Sequence, residues 1–439
     1  AKGFAKVKEY GKLVGVAARL VFEALRLPRT RRNFYARLNA ALDSDLDLKA
    51  ASPTQLAAEY RRIESTLLDR WDAPLVNDFL CMIAFGASRN LLKKWLGEDG
   101  LLLHNDVMIG QGDIVSAEPA QRIAKMGLIV AEHGIPTDQL VTHPALKDEL
   151  ASYLAKFGDR CTEELKLESI PLTDDASQLL SAIAASAQRP PAAHAAAAIP
   201  DWVAIFKGKP IKARLAKWIV TWTKARVRDR ENLRFERTRL FGRARQVFLS
   251  MGREFAARDL IDTPRDVFHL TVAEIMGAIE GFGLSPNLRG LIALRQSEDA
   301  ASVSRADPPE RIEVRGPAIL PASTAHMQTE DLQTGETRTA TGCSAGQVTA
   351  KARVIRDPRT ESLAPGDILV ARHTDPGWIA VFSNASAIVV ERGSLLSHSA
   401  IVARELGIPC VVGLKGATQW IKDGEELHVN GATGLVKKT

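Results

Sequence analysis

The side chain in this sequence best placed for covalent chemistry is His398, in the run Glu391-Arg392-Gly393-Ser394-Leu395-Leu396-Ser397-His398-Ser399-Ala400-Ile401-Val402-Ala403-Arg404-Glu405-Leu406-Gly407-Ile408-Pro409. An imidazole with the ordinary pKa of about 6.5 is largely free base at neutral pH and can attack phosphorus. A β-branched stretch ends near Glu391, a glycine-containing loop follows, and Gly407 with Pro409 beyond it marks a helix stop, so His398 stands at the entrance to a short helix. Unpaired backbone N–H groups and the positive dipole end at that entrance favour an anion such as a phosphorylated imidazole. Gly393 lets backbone approach closely, and Ser397 can cap the helix or donate to a phosphoryl oxygen. Arg404 is either a counter-charge to that anion or the partner of a glutamate in the same domain.

The elements that must carry this loop read as a compact α/β domain. Gly346 to Ile355, Asp367 to Arg372, Ala387 to Glu391, Pro409 to Gly413 and Glu426 to Asn430 have the β-branched character of strands, and Trp378 to Asn384 and Ser399 to Leu406 read as helices. Asp423-Gly424 and Gly431 to Gly434 are tight-turn signals. Upstream the period is helical as far as about Ala187, with turn signals at Gly97 to Gly100, Gly110 to Gly112 and Gly134 to Pro136. Ser186 to Pro200, with Pro190-Pro191 and an alanine run, reads as a connector. A long helix is expected from Ile211 to about Arg258, with Leu215, Trp218, Ile219 and Trp222 on its apolar face. The expected fold class is therefore multidomain α + α/β: a mainly helical region over 1–299, a linker over 300–341 and a small α/β domain over 342–439.

Composition bounds the function. With 439 residues, 46% hydrophobic and 25% charged, the chain has the balance of a globular protein of more than one domain. Its most apolar early stretch, Leu13 to Leu27, is broken by Arg19, Glu23 and Arg26, and the N-terminus lacks a secretory pattern, so the expected location is cytoplasmic, without a membrane partner. The four cysteines are far apart with no CxxC pair, which argues against a zinc site or a disulfide framework, and no metal-binding residues are assigned. A net charge of +6 is mild and forms no basic stripe interleaved with aromatics, so nucleic acid is not expected as a partner.

From about Gly342 to Val436 the sequence resembles the phosphohistidine swivelling domain of the phosphoenolpyruvate-utilising enzymes, the group of phosphoenolpyruvate synthase, pyruvate phosphate dikinase and rifampicin phosphotransferase. The resemblance rests on Thr374-Asp375-Pro376-Gly377-Trp378, the His398 loop, Ala400-Ile401-Val402-Ala403-Arg404-Glu405, Asp423-Gly424 and Gly434. Ser394 and Ser399 depart from it, standing where many members carry Gly. Two helical segments are also similar to family elements: Phe157-Gly158-Asp159-Arg160-Cys161-Thr162-Glu163-Glu164-Leu165 and Arg230-Glu231-Asn232-Leu233-Arg234-Phe235. Four apart on one helix, Arg230 and Arg234 face the same way and can clamp a transferring phosphoryl group, or belong to a solvated, ion-paired face. Arg160 and Glu164 are either substrate- or phosphoryl-binding residues or an interhelical ion pair.

The resemblance implies a dikinase-type phosphotransferase with paired acceptors. An ATP-grasp module using ATP and Mg²⁺ phosphorylates His398, the small domain moves, and a small-molecule substrate in the helical region receives the phosphoryl group. No glycine-rich nucleotide loop with its lysine and acidic metal ligands is legible, so the ATP-grasp module is expected on another chain or on a longer polypeptide. The pyruvate-binding barrel of the phosphoenolpyruvate-forming members is not legible in these residues either, so the closer comparison is expected to be rifampicin phosphotransferase. Condensation through a phosphorylated intermediate, as in the prodigiosin-type ligases, and a non-catalytic phosphocarrier subunit are the alternatives.

Overall fold

The computed structural model of the protein describes residues 2–108, 114–188, 199–303, 305 and 335–439. The turn expected at Gly110 to Gly112, the Pro190-Pro191 alanine stretch and most of the 300–341 linker lie outside the described residues. Among those residues the chain is helical as far as Val303, and a small α/β sheet domain follows, the fold class expected from the sequence. Compactness divides the chain into one unit of Ala1–Leu46, Tyr60–Arg245 and Glu336–Thr439 and another of Asp47–Glu59 and Gln246–Gly335. The sheet domain thus shares its unit with most of the helical residues, a grouping that position along the chain does not disclose.

The helices are α1 (Lys2–Leu42), α2 (Pro53–Thr66), α3 (Asp72–Leu96), α4 (Glu98–Val107), α5 (Glu118–His133), α6 (Pro144–Phe157), α7 (Ser177–Gln188), α8 (Trp202–Ile205), α9 (Pro210–Ala257), α10 (Val272–Glu280) and α11 (Leu288–Val303). Local chemistry sets several of their ends. Pro119 opens α5, where a missing N–H costs nothing, and Gly134 closes it at φ +58°. In the second unit Thr271 and Glu274 form a reciprocal cap on α10, and Arg295 of α11 holds the same Glu274 at 2.6 Å.

The long helix α9 lies close to its expected span, but the apolar face marked by Leu215, Trp218, Ile219 and Trp222 is only partly covered, Ile219 packing against a buried cluster. Leu215 and Trp218 are 42% and 62% exposed, whereas Ala213, Ala216, Val220, Thr223 and Val227 are buried. Small and β-branched residues let α9 approach its neighbours closely, and Trp218 instead stacks on Trp222 one turn along, with ring centroids 6.4 Å apart. Residue size alone does not reveal which stripe meets a partner helix.

The α/β domain contains β1 (Thr337–Thr339), β2 (Thr341–Ser344), β3 (Gln347–Ile355), β4 (Ile368–Ala371), β5 (Ala387–Val390), β6 (Cys410–Val412), β7 (Glu426–Asn430) and β8 (Leu435–Lys438), with helices α12 (Ile379–Phe382), α13 (His398–Leu406) and α14 (Ala417–Trp420). The sheet order is β1-β8-β7-β3-β4-β5-β6-β2, so it begins N-terminal to the expected start at Gly342. Strands β3 to β6 run parallel, and β4, β5 and β6 are buried along their whole length, as expected of parallel strands covered on both faces. The expected strands all form. Strands β1, β2 and β8 and helix α14 were not anticipated, because these short Thr-, Gly- and Lys-containing segments owe their form to pairing and packing rather than to their own pattern.

Alternation along the central strands makes two cores. Ile355, Leu369, Ala371, Ile388, Val390 and Val412 join Trp378, Phe382, Ala400 and Val402, together with Ile123, Met126, Tyr153, Phe157 and Ile183 of α5 to α7. Val354, Ile368, Val370, Val389 and Val411 pack on the other side with Leu414, Ala417 and Ile421. A third cluster brings Ile401 of α13 against Phe85 and Leu92 of α3 and Ala216, Val220 and Val227 of α9. Helix α13 is therefore held on one side by the sheet and on the other by helices. Each buried Val, Leu, Ile or Phe among them contributes about 1.5–3 kcal/mol, and together they fix the helix mouth that carries His398.

Candidate active site

Helix α13 begins at His398 with Ser397 as its cap, the Ser397 hydroxyl accepting from the Ala400 N–H at 3.4 Å and lying 3.1 Å from the Ser399 hydroxyl. Gly393 has φ +154°, and a Cβ there would fall 3.2 Å from both the Ser397 Oγ and the Val412 Cβ. Glycine is thus needed for conformation and for space. Arg404 turns back along α13 and is buried: its Nε donates to the Ala400 carbonyl at 2.9 Å and an Nη donates to the Leu395 carbonyl. In the structure it braces the loop that precedes His398, and burial lowers its pKa.

The side chain of His398 is only 10% exposed, and its Nδ1 lies 3.6 Å from the Glu231 carboxylate. That carboxylate accepts a hydrogen bond from the Ser116 hydroxyl at 2.7 Å. Burial acts to raise the pKa of Glu231, but His398, Arg230 and Ser116 outweigh it and hold the group at about 2. A buried carboxylate beside Nδ1 favours, in the neutral ring, the tautomer with the proton on that nitrogen and the lone pair on Nε2. Nε2 is buried and has no hydrogen-bond partner among the described residues. The Phe382 ring, with its centroid 6.4 Å from that of the imidazole and an interplanar angle of 26°, flanks it.

The structure brings Arg230 and Arg234 to the same place. Arg230 donates to the Leu396 carbonyl, two residues before His398, and its Nε lies 3.3 Å from one oxygen of Asp78. Arg234 takes the other Asp78 oxygen, with its Nε at 3.3 Å and an Nη at 2.9 Å. Asp78, on α3, thus orients both guanidinium groups, one of them against the His398 loop.

Arg160 and Glu164 sit at a neighbouring position. Their side chains are 3.8 Å apart and buried, Arg160 lies over the rings of Phe157 and Phe235, and Glu164 accepts from the Thr238 hydroxyl at 3.1 Å. Arg160 also donates to the Pro376 carbonyl at 3.4 Å, so it meets the Thr374–Trp378 turn rather than the imidazole. Within that turn burial raises the pKa of Asp375, His373 and His398 oppose the rise, and Glu164 adds to it.

Sequence reasoning missed Glu231, Ser116, Asp78 and Phe382. Glu231 was within reach, since it adjoins Arg230 in a segment already singled out, but helical spacing from Arg230 and Arg234 drew attention to the arginines alone. Nothing local marks Asp78, which lies 156 positions from Arg234. Among the described residues no group of three or more His, Cys, Asp and Glu side chains is arranged to hold a metal ion. The His398 Nε2 has no partner among the described residues, and Arg230 reaches the loop two residues before that imidazole.

Residues 363–434 match the family model for the mobile domain of the PEP-utilising enzymes, and residues 76–231 match that for the fourth domain of rifampicin phosphotransferase. These two ranges contain His398 and its loop on one side and Asp78, Ser116, Arg230 and Glu231 on the other. An uncharacterized protein of Mycobacterium tuberculosis is 32% identical over 309 residues, covering 70% of this chain and 33% of that protein. A rifampicin phosphotransferase of Streptomyces is 26% identical over 376 residues, covering 79% and 42%. The prodigiosin synthesizing transferase PigC of Serratia marcescens is 28% identical over 450 residues, covering 94% and 48%. The chain spans from a third to about half the length of these relatives. Two family models meeting at one histidine, on the fold described above, place this chain in the phosphoenolpyruvate-utilising enzyme family.

Proposed function

We propose that His398 carries a phosphoryl group on Nε2 between an ATP-consuming module and an acceptor bound by the helical region. The observation that supports this most directly is the division of the imidazole: Nδ1 faces the Glu231 carboxylate at 3.6 Å, and Nε2 is left without a hydrogen-bond partner among the described residues. When the Nε2 lone pair forms the P–N bond and the P–O bond to the leaving group breaks, positive charge develops on the ring, and Glu231 stabilises it through Nδ1–H. In the second step an acceptor oxygen attacks phosphorus and the P–N bond breaks. The electron pair returns to Nε2, which can take the acceptor's proton. Arg230 and Arg234 neutralise the phosphoryl oxygens, and positioning of this kind carries most of the gain in phosphoryl transfer.

ATP, with Mg²⁺, is the donor in this reading and is handled by an ATP-grasp module supplied by a partner chain or by further polypeptide. The acceptor reading draws on α3, where Leu75, Phe79 and Met82 are exposed on the side of the helix that also presents Asp78. An acceptor with an apolar body and one reactive oxygen suits that surface. Condensation through a phosphorylated intermediate stands as the second reading, because the match to the prodigiosin synthesizing transferase covers more of this chain than does the rifampicin phosphotransferase match, 94% against 79%.

The test is to incubate the chain with ATP labelled separately at the β and γ phosphates, with and without an ATP-grasp partner, and to follow acid-labile label on the wild type and on His398→Ala. Label from the β position alone, dependent on the partner and lost in His398→Ala, supports the cycle. Label that persists in His398→Ala overturns the assignment.

A further inference from the structure

The Thr374–Trp378 turn lies directly on the backbone of the loop that follows α6. A Cβ on Gly377 would fall 2.2 Å from the Cys161 carbonyl oxygen, 2.5 Å from its carbon and 2.8 Å from the Thr162 Cα. All three are backbone atoms, which cannot rotate away as a flexible side chain can. Gly377 is not in the positive-φ region, so its own turn does not demand glycine. The requirement comes only from what the turn rests on.

The surroundings show that this is where the α/β domain seats on the helices. On one side of Gly377, Arg160 donates to the Pro376 carbonyl at 3.4 Å. On the other, Trp378, Val381 and Phe382 share one core with Ala120, Ile123 and Leu179 of α5 and α7. Farther out, Gln178 of α7 donates to the Pro358 carbonyl at 2.7 Å. Phe382, part of this same seat, flanks the His398 ring.

We propose that Gly377 is a positioning residue: the absence of a side chain there lets the Thr374–Trp378 turn lie on the Cys161–Thr162 backbone, and this seating brings His398 to Glu231 and Arg230. Its consequence for transfer rests on the reading of His398 as a phosphoryl carrier; the seating itself does not. Any side chain at this position holds the domain off the helices while leaving its own sheet and helices intact. His398 is then more open to solvent and remote from the arginines that would neutralise its phosphoryl group during transfer.

The full chain and its Gly377→Ala variant are treated with diethyl pyrocarbonate, and modification of His398 is followed by peptide mass spectrometry with the exposed His133 as internal reference. A backbone clash of this size is expected to raise the His398 rate about ten-fold or more, with the circular dichroism spectrum unchanged. An unchanged His398 rate in a folded Gly377→Ala protein overturns the proposal. Should that variant fail to fold, Gln178→Ala, which removes one hydrogen bond from the seat, decides instead: a rise of about two- to five-fold supports the seating, and no rise overturns it. In parallel, both proteins are exposed to potassium phosphoramidate and examined by phosphorus NMR. Faster carbethoxylation with no phosphohistidine in either protein leaves the seating intact and removes the carrier reading.

Discussion

The Glu231 carboxylate lies 3.6 Å from the Nδ1 of His398 and takes the Ser116 hydroxyl at 2.7 Å, so a histidine on one domain is oriented by an acid from a helix far away in sequence. Glu231→Gln keeps the shape of the side chain and removes its charge. Formation of phosphohistidine is expected to fall by about 10²-fold or more, the scale on which preorganised charge acts at a transition state. Nitrogen NMR of labelled histidine is the check: the wild type should hold its proton on Nδ1, and the variant should show mixed tautomers.

Asp78 holds Arg230 at 3.3 Å and Arg234 at 2.9 Å. Asp78→Asn should leave the fold intact and slow transfer from His398 to an acceptor by about ten-fold, because two charge-assisted contacts weaken together. Arg230→Lys should cost more than Arg234→Lys, since Arg230 is more buried and also holds the Leu396 carbonyl. Single-turnover decay of the phosphorylated chain with acceptor present measures both, and equal effects would show that contact with the loop is irrelevant.

Gly393→Ala combines a glycine-favoring φ of +154° with contacts of 3.2 Å to Ser397 and Val412. A loss of about 1–3 kcal/mol in stability is expected, read as a lower urea midpoint. Local opening of the His398 loop should appear as faster amide exchange at residues 394–397.

His104 on α4 is fully buried, its Nε2 2.8 Å from the Ser88 hydroxyl, and burial, with Arg404 and Arg89, pushes its pKa down to about 3. An unfolded histidine takes up a proton at about pH 6.5, so between there and about 3 the unfolded chain binds more protons than the folded one. Stability therefore falls as pH drops through that window, by up to about 1.4 kcal/mol per pH unit from this group. His104→Leu should flatten the dependence, and Ser88 keeps its bond to the Phe85 carbonyl at 3.1 Å. Urea midpoints measured from pH 7 to pH 4 decide it: an unaltered slope in the variant would remove His104 from the account.

Much of the site was legible because its chemistry is written over short distances. The strand, glycine loop, Ser397 cap, His398 and the Gly407-Ile408-Pro409 stop follow one another within about five turns' length of chain, and the helix spacing of Arg230 and Arg234 already puts them on one side. The role of Arg404 was less legible, since a guanidinium that turns back onto the Leu395 and Ala400 carbonyls looks the same in sequence as one that faces an anion. Trp218 misled for a related reason: its apolar surface is real, but whether a helix face is covered depends on what comes to lie beside it.

Taken alone, the order of residues determined the long helix to within a residue of Pro210 and Ala257, the strands β3 to β7, and the histidine at the mouth of α13, because periodicity, β-branching and capping act between near neighbours in the chain. Folding decided that Glu231 and Ser116 face that histidine, that Asp78 joins two arginines, and that Gly377 lies on Cys161. Those pairings link segments more than a hundred residues apart and are made by packing of whole helices against the sheet, for which no single segment carries a signal.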